Sequence, residues 1–147
     1  MNRRLTLAVS LAGALILGGC ASGPKFADVE KTIPSLKAGE ARVYFYRENS
    51  MMGAAIQPDL RLNGEVVGES KPGGFFYVDR PAGKYVASAS TETEKTASFT
   101  LDTGETKYLQ TSPSFGILVG RVVIEIVDPV KARADIATLS YAPLAKK

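Results

Sequence analysis

The only thiol in this chain of 147 residues is Cys20, and it directly follows Leu17, Gly18 and Gly19. One cysteine closes no disulfide within the chain, so its sulfur is available as a nucleophile rather than as a staple. The chain has no histidine. That removes the commonest general base, every Ser-His-Asp or Cys-His arrangement and the commonest transition-metal ligand. Carboxylates are scattered singly, at Glu48, Asp59, Glu65, Glu69, Asp79, Glu92, Glu94, Asp102, Glu105, Glu125, Asp128 and Asp135, and no Asp-x-Asp-x-Asp run marks a calcium loop. A glycosidase-like pair drawn from different strands is left open by spacing, but isolated carboxylates are ordinarily solvated surface charge. The reading is non-enzymatic, with no catalytic residue, metal site or cofactor expected.

The chemistry open to Cys20 follows from what precedes it. Arg3 and Arg4 lead into an apolar run of 15 residues, Leu5 to Gly19, that carries no charge. This is the layout of a secretory signal, and it falls short of the roughly 20 residues that a spanning helix needs. Leu17-Gly18-Gly19-Cys20 resembles the lipobox of bacterial lipoproteins, in which a branched residue and two small ones give a peptidase access beside a lipid-bearing cysteine. The resemblance implies a signal peptide over residues 1–19, recognised through Leu17, Gly18 and Gly19 and cleaved before Cys20, and diacylglycerol on the Cys20 sulfur. Each buried methylene adds about 0.8 kcal/mol of membrane affinity, so two or three chains hold firmly where one would not. Ala21 stands where an aspartate would, by resemblance, favour inner-membrane retention. The periplasmic face of the outer membrane is therefore the expected location.

Without residues 1–19 the chain holds 16 basic and 15 acidic residues, a formal charge near +1. No basic cluster tracks phosphates, so nucleic acid is not an expected partner. The remaining length suits one domain with a core of its own. Residues 20–40, from the lipidated cysteine through ASGPKFADVEKTIPSLKAGE, are polar and broken by Pro24 and Pro34, and read as a flexible tether.

Residues 41–147 read as the folded domain. Eight β-rich runs follow one another: Ala41–Arg47, Asp59–Leu62, Glu65–Glu69, Phe75–Asp79, Lys84–Ser90, Thr96–Asp102, Thr106–Thr111 and a long one over Ile117–Val127. Alternation is clearest where Ala97, Phe99 and Leu101 face away from Thr96, Ser98 and Thr100. Asn63-Gly64 predicts a type I′ hairpin turn, which needs φ > 0 at both central residues. Pro81-Ala82-Gly83 and Asp102-Thr103-Gly104 supply two further turns. The last run is apolar on both faces apart from Arg121 and Glu125, as a central strand would be. Asp128-Pro129 then starts a short C-terminal helix, an N-cap acceptor followed by proline at the first helical position.

The runs ARVYFYR, LRLNGEVVGES, GGFFYVDRPAGKY and LDTGETKYLQ, in that order after the lipobox, resemble a family of bacterial lipoproteins known only as a domain of unknown function, over roughly Glu40 to Val127. The NG hairpin and the later PAGKY turn also resemble small immunoglobulin-like or transthyretin-like modules. The resemblance implies a single antiparallel β-sandwich, here with the short C-terminal helix. These motifs are turn chemistry, so the resemblance assigns no functional residue.

Three other groups could carry a contact. Tyr44, Phe45, Tyr46, Phe75, Phe76 and Tyr77 must divide between two sheet faces, which puts some tyrosines outward, and cross-strand aromatic pairing is their simplest role. Arg47 and Arg80 end their runs, where salt bridges or solvation are ordinary. Ser50–Ile56 is apolar for a connection. Met51 and Met52 there either help cap the sandwich end, the expected outcome, or form an adaptable contact surface for a partner or lipid. The expected function is a membrane-tethered module that binds an unidentified protein or envelope component. A carrier of a small apolar ligand is the alternative, and a hydrolase is a distant third.

Overall fold

The computed structural model describes residues 19–118 and 120–144. The expected signal peptide, with Leu17 and Gly18, lies outside them except for Gly19. Two sheets pack face to face, as expected for a β-sandwich. The strands are β1 (Glu40–Arg47), β2 (Asp59–Leu62), β3 (Glu65–Glu69), β4 (Gly74–Pro81), β5 (Gly83–Ser90), β6 (Glu94–Leu101), β7 (Thr106–Ser114), β8 (Arg121–Val127) and β9 (Ser140–Tyr141). The first sheet runs β8-β7-β1-β4-β9 and the second β3-β2-β5-β6. The second sheet is antiparallel throughout. In the first, β1 pairs with β7 and β4 with β9 in parallel. Between β1 and β7 the chain crosses to the second sheet and back twice, with β4 between the two excursions, a connection long enough for parallel pairing.

Alternation in β1 accounts for its continuous burial. Ala41, Val43 and Phe45 face the second sheet and meet Leu60, Phe76, Ala87 and Leu109 in the main core. Phe45 stacks on Phe76, its cross-strand partner, at 5.1 Å. Tyr44 and Tyr46 face the other way, with Phe75 and Tyr108, into a second core. That outer face is covered rather than wet: helix α1 (Phe26–Val29) and helix α2 (Pro129–Ile136) lie over it and contribute Phe26, Val29, Ala132 and Ile136. Asp128 caps α2 as expected, its carboxylate accepting from the Val130 and Lys131 N–H groups, with Pro129 at the helix start.

Three expectations are corrected. Residues 20–40 are not a free tether over most of their length, because the outer aromatic face needs a cover. Ala21 N–H donates to Pro72 O at 2.9 Å, Tyr141 N–H donates to Pro24 O at 2.8 Å, and Phe26 is 6% exposed. Arg42 then holds the following stretch, donating to Pro34 O while gripping Asp79 through Nε and Nη2, each at 2.7 Å. The last strand begins at Arg121 rather than Ile117, since Gly116 and Gly120 (φ 87°) flank a loop. It is also an edge strand, not a central one.

The Asn63-Gly64 turn has φ of 49° and 84°, as a type I′ turn requires, and Asn63 Oδ1 accepts from the Val86 N–H at 2.8 Å. A Cβ at Gly64 would meet nothing within 4 Å, so the penalty for a side chain there is purely conformational. Gly64→Val should destabilise the domain by more than about 1 kcal/mol. The urea unfolding midpoint reads this, and an unmoved midpoint would show that the turn reshapes without cost.

Candidate functional site

Strand direction sorts the connections into two ends. Arg47 pairs with Gly74 and Ser114 with Arg121, while Asp59 pairs with Glu69 and Ser90 with Glu94. The connections 48–58, 70–73, 91–93 and 115–120 therefore gather at one end of the sandwich. The turns at Asn63-Gly64, Ala82-Gly83 and Asp102–Gly104 gather at the other.

Cys20 lies at the first end. Its thiol is exposed and stands 3.5 Å from Asn49 Oδ1, and the Gly19 carbonyl accepts from Gln57 Nε2 at 3.4 Å. The sulfur thus sits beside the connection that carries Met51 and Met52, with little slack between it and the folded domain.

That connection is shaped by Arg47, which is 1% exposed. Its guanidinium donates to the carbonyls of Ile56 at 2.7 Å, Gly53 at 2.8 Å and Ser70 at 3.1 Å. Among the described residues no carboxylate forms an ion pair with it, and burial pulls its pKa below the ordinary arginine value. The expected salt bridge or solvation is thus replaced by a cage of backbone carbonyls. Arg80 instead meets Glu65 at 3.1 Å, as expected of a strand-end arginine.

The cage tucks Ile56 against the main core but leaves Met51 85% and Met52 56% exposed. The expectation that the methionines cap the sandwich end is therefore corrected. Capping falls to Ile56, and Met51 and Met52 form surface, because the carbonyls turned inward onto Arg47 leave their side chains on the outside.

Beside them stand three residues that sequence reasoning missed: Phe115, 87% exposed, Ile117, 86%, and Leu118, 87%. The sequence placed Ile117 and Leu118 in a strand and did not single out Phe115. The flanking Pro113, Gly116 and Gly120 were the available signal. Glu92 fixes this loop by accepting from the backbone N–H groups of Ile117 and Leu118, each at 3.0 Å, and from Arg121 Nη2 at 3.2 Å.

The two loops touch. A Cβ added at Gly53 would fall 2.7 Å from Pro113 Cβ, and one at Gly120 would fall 2.7 Å from Ile56 Cδ1. Between them opens a groove of about 250 Å³, lined by Met52, Ile56, Pro113 and Phe115 among others. A polar groove of about 290 Å³ lies past Asn49 toward α2, where Asp135 accepts from the Tyr46 hydroxyl at 2.9 Å. Burial, then that hydrogen bond, raises the Tyr46 pKa above the ordinary tyrosine value. Among the described residues no three histidine, cysteine, aspartate or glutamate side chains gather to hold a metal.

The molecule is thus a two-sheet sandwich with a helical cover and one apolar end, at which its only cysteine emerges. Residues 37–122, more than half of the chain, match the family described as "Protein of unknown function (DUF2846)", and the chain belongs to that family. It is similar to an uncharacterized protein of Haemophilus influenzae, 30% identical over 147 residues that cover 95% of this chain and 86% of the relative. No solved structure matches it.

Proposed function

We propose that the protein is a bacterial envelope lipoprotein, anchored through acyl chains on Cys20 at the periplasmic face of the outer membrane, which binds a protein or envelope component without catalysis. The observation that carries the reading is Cys20 itself. It follows Leu17-Gly18-Gly19 in sequence and is exposed at the edge of the fold, where a peptidase and an acyl donor have access.

The interior supports a binding module over the carrier alternative, which needs an enclosed apolar cavity of some hundreds of Å³. Here the stacked Phe45 and Phe76 pack into the main core, and the space beside them, bordered by Leu60 and Thr111, has no room for a water molecule. Several carboxylates hold structural partners, which supports a non-enzymatic role. Asp79 holds Arg42, Glu65 holds Arg80, Asp128 caps α2 and Asp135 meets Lys131 and Tyr46.

Cys20→Ser tests the anchor. Serine offers no thiol to diacylglycerol, so incorporation of a palmitate analogue should vanish and the unprocessed precursor should accumulate. Labelling equal to that of the unaltered chain would refute the lipoprotein reading.

A further inference from the structure

Met51, Met52, Phe115, Ile117 and Leu118 put their side chains into solvent at one end of the sandwich. Soluble proteins seldom leave so concentrated an apolar surface without a use. The exposure is built into the backbone. Arg47 draws the carbonyls of Gly53 and Ile56 inward, and Glu92 does the same to the N–H groups of Ile117 and Leu118. Neither loop can turn its apolar side chains into the core without breaking those bonds. Of the acidic side chains in these connections, Glu92 faces inward, onto those N–H groups and Arg121, and Glu48 is engaged by Gln110 and Lys131. The opposite end is polar, with Asp102, Gly104 and the Glu105–Lys107 pair.

Cys20 belongs to the apolar end. Its sulfur is 3.5 Å from Asn49, two residues before Met51, and the bond from Ala21 to Pro72 keeps it there. Acyl chains on that sulfur would bring a bilayer to this end of the domain and to no other. A surface held so close meets the bilayer at high effective concentration, so even weak apolar insertion is sufficient.

We infer that Met51, Met52, Phe115, Ile117 and Leu118 form a wedge that enters the same bilayer as the acyl chains on Cys20, a second and non-covalent attachment that fixes how the domain stands. This inference rests on the lipid-anchored reading. The groove between the two loops opens into the wedge and takes hydrocarbon in place of water. Met51 and Met52 supply flexible side chains suited to a disordered apolar medium.

The test uses full-length protein purified from membranes. Acylation consumes the Cys20 thiol, so a cysteine introduced by Ile117→Cys, or by Asp102→Cys at the polar end, is the single site for an environment-sensitive fluorophore. Both substitutions are of exposed residues and leave the fold intact. Each protein is reconstituted into vesicles of phosphatidylethanolamine and phosphatidylglycerol that contain a nitroxide-labelled lipid, and its N-terminal peptide is weighed by mass spectrometry.

The expected result is an acylated peptide, with the probe at position 117 quenched by the nitroxide lipid at least about threefold more than the probe at 102, and the reverse order with aqueous iodide. An acylated protein whose two probes respond alike overturns the wedge and leaves the anchor standing. A probe at 117 shielded from both quenchers puts protein on the tip and also overturns it. A peptide without acyl chains overturns the anchor, and the wedge falls with it.

Discussion

Replacing Arg47 with alanine should lower the stability of the domain by about 4 kcal/mol, because a buried charged donor is removed while its acceptors stay buried. Three carbonyls, of Gly53, Ile56 and Ser70, lose their partner at once. They belong to different segments, so the connection after β1 and the turn before β4 loosen together. Arg47→Lys should recover only part of the loss, since one ammonium cannot reproduce the planar fork that spans these carbonyls. Guanidinium unfolding of the three proteins measures the effect. A midpoint for Arg47→Ala that corresponds to less than about 1 kcal/mol would mean that water replaces the guanidinium without penalty.

Phe26→Ala is the second large effect, expected to cost about 3 kcal/mol, as large-to-small substitutions in a core do. The ring packs edge-on to Phe75 at 5.4 Å and to Tyr44 at 6.3 Å, and Arg133 lies over it at 5.9 Å. If the residues after Cys20 were a free tether, removing the ring would change nothing. A denaturation midpoint within about 0.5 kcal/mol of the original, the range of exposed substitutions, would restore the tether.

What could be read from the sequence was what local chemistry decides. Asn63-Gly64 needed positive φ at both positions and has it. Asp128-Pro129 supplied a cap and a helix start, and the alternation of Ala97, Phe99 and Leu101 marked one face of a strand. What could not be read was what a distant surface decides. Phe26 and Val29, three apart on one turn, look incidental until the aromatic side of β1 and β4 requires a cover. The aromatic run Tyr44-Phe45-Tyr46 told that two faces exist, but not that both are dry. Arg47 looked like a strand-end charge because its acceptors are backbone atoms, which leave no trace in residue types. Of the apolar end, Met51 and Met52 were visible as an oddity. Ile117 and Leu118 were hidden inside a pattern that continues smoothly into the true strand at Arg121.

The bond from Ala21 to Pro72 has a consequence for reach. A lipoprotein on a long leash patrols a hemisphere and meets partners in any orientation. If Cys20 carries the proposed acyl chains, a domain fastened at the very next residue is a post. β1, β4 and β5 each hold eight residues, and at about 3.3 Å per residue they raise the far turns roughly 26 Å above the apolar end. On a lipid-held post, Asn63-Gly64 and Asp102–Gly104 would sweep a thin layer parallel to the bilayer. Only a partner whose docking face lies at that height could engage them, and it would find them already upright.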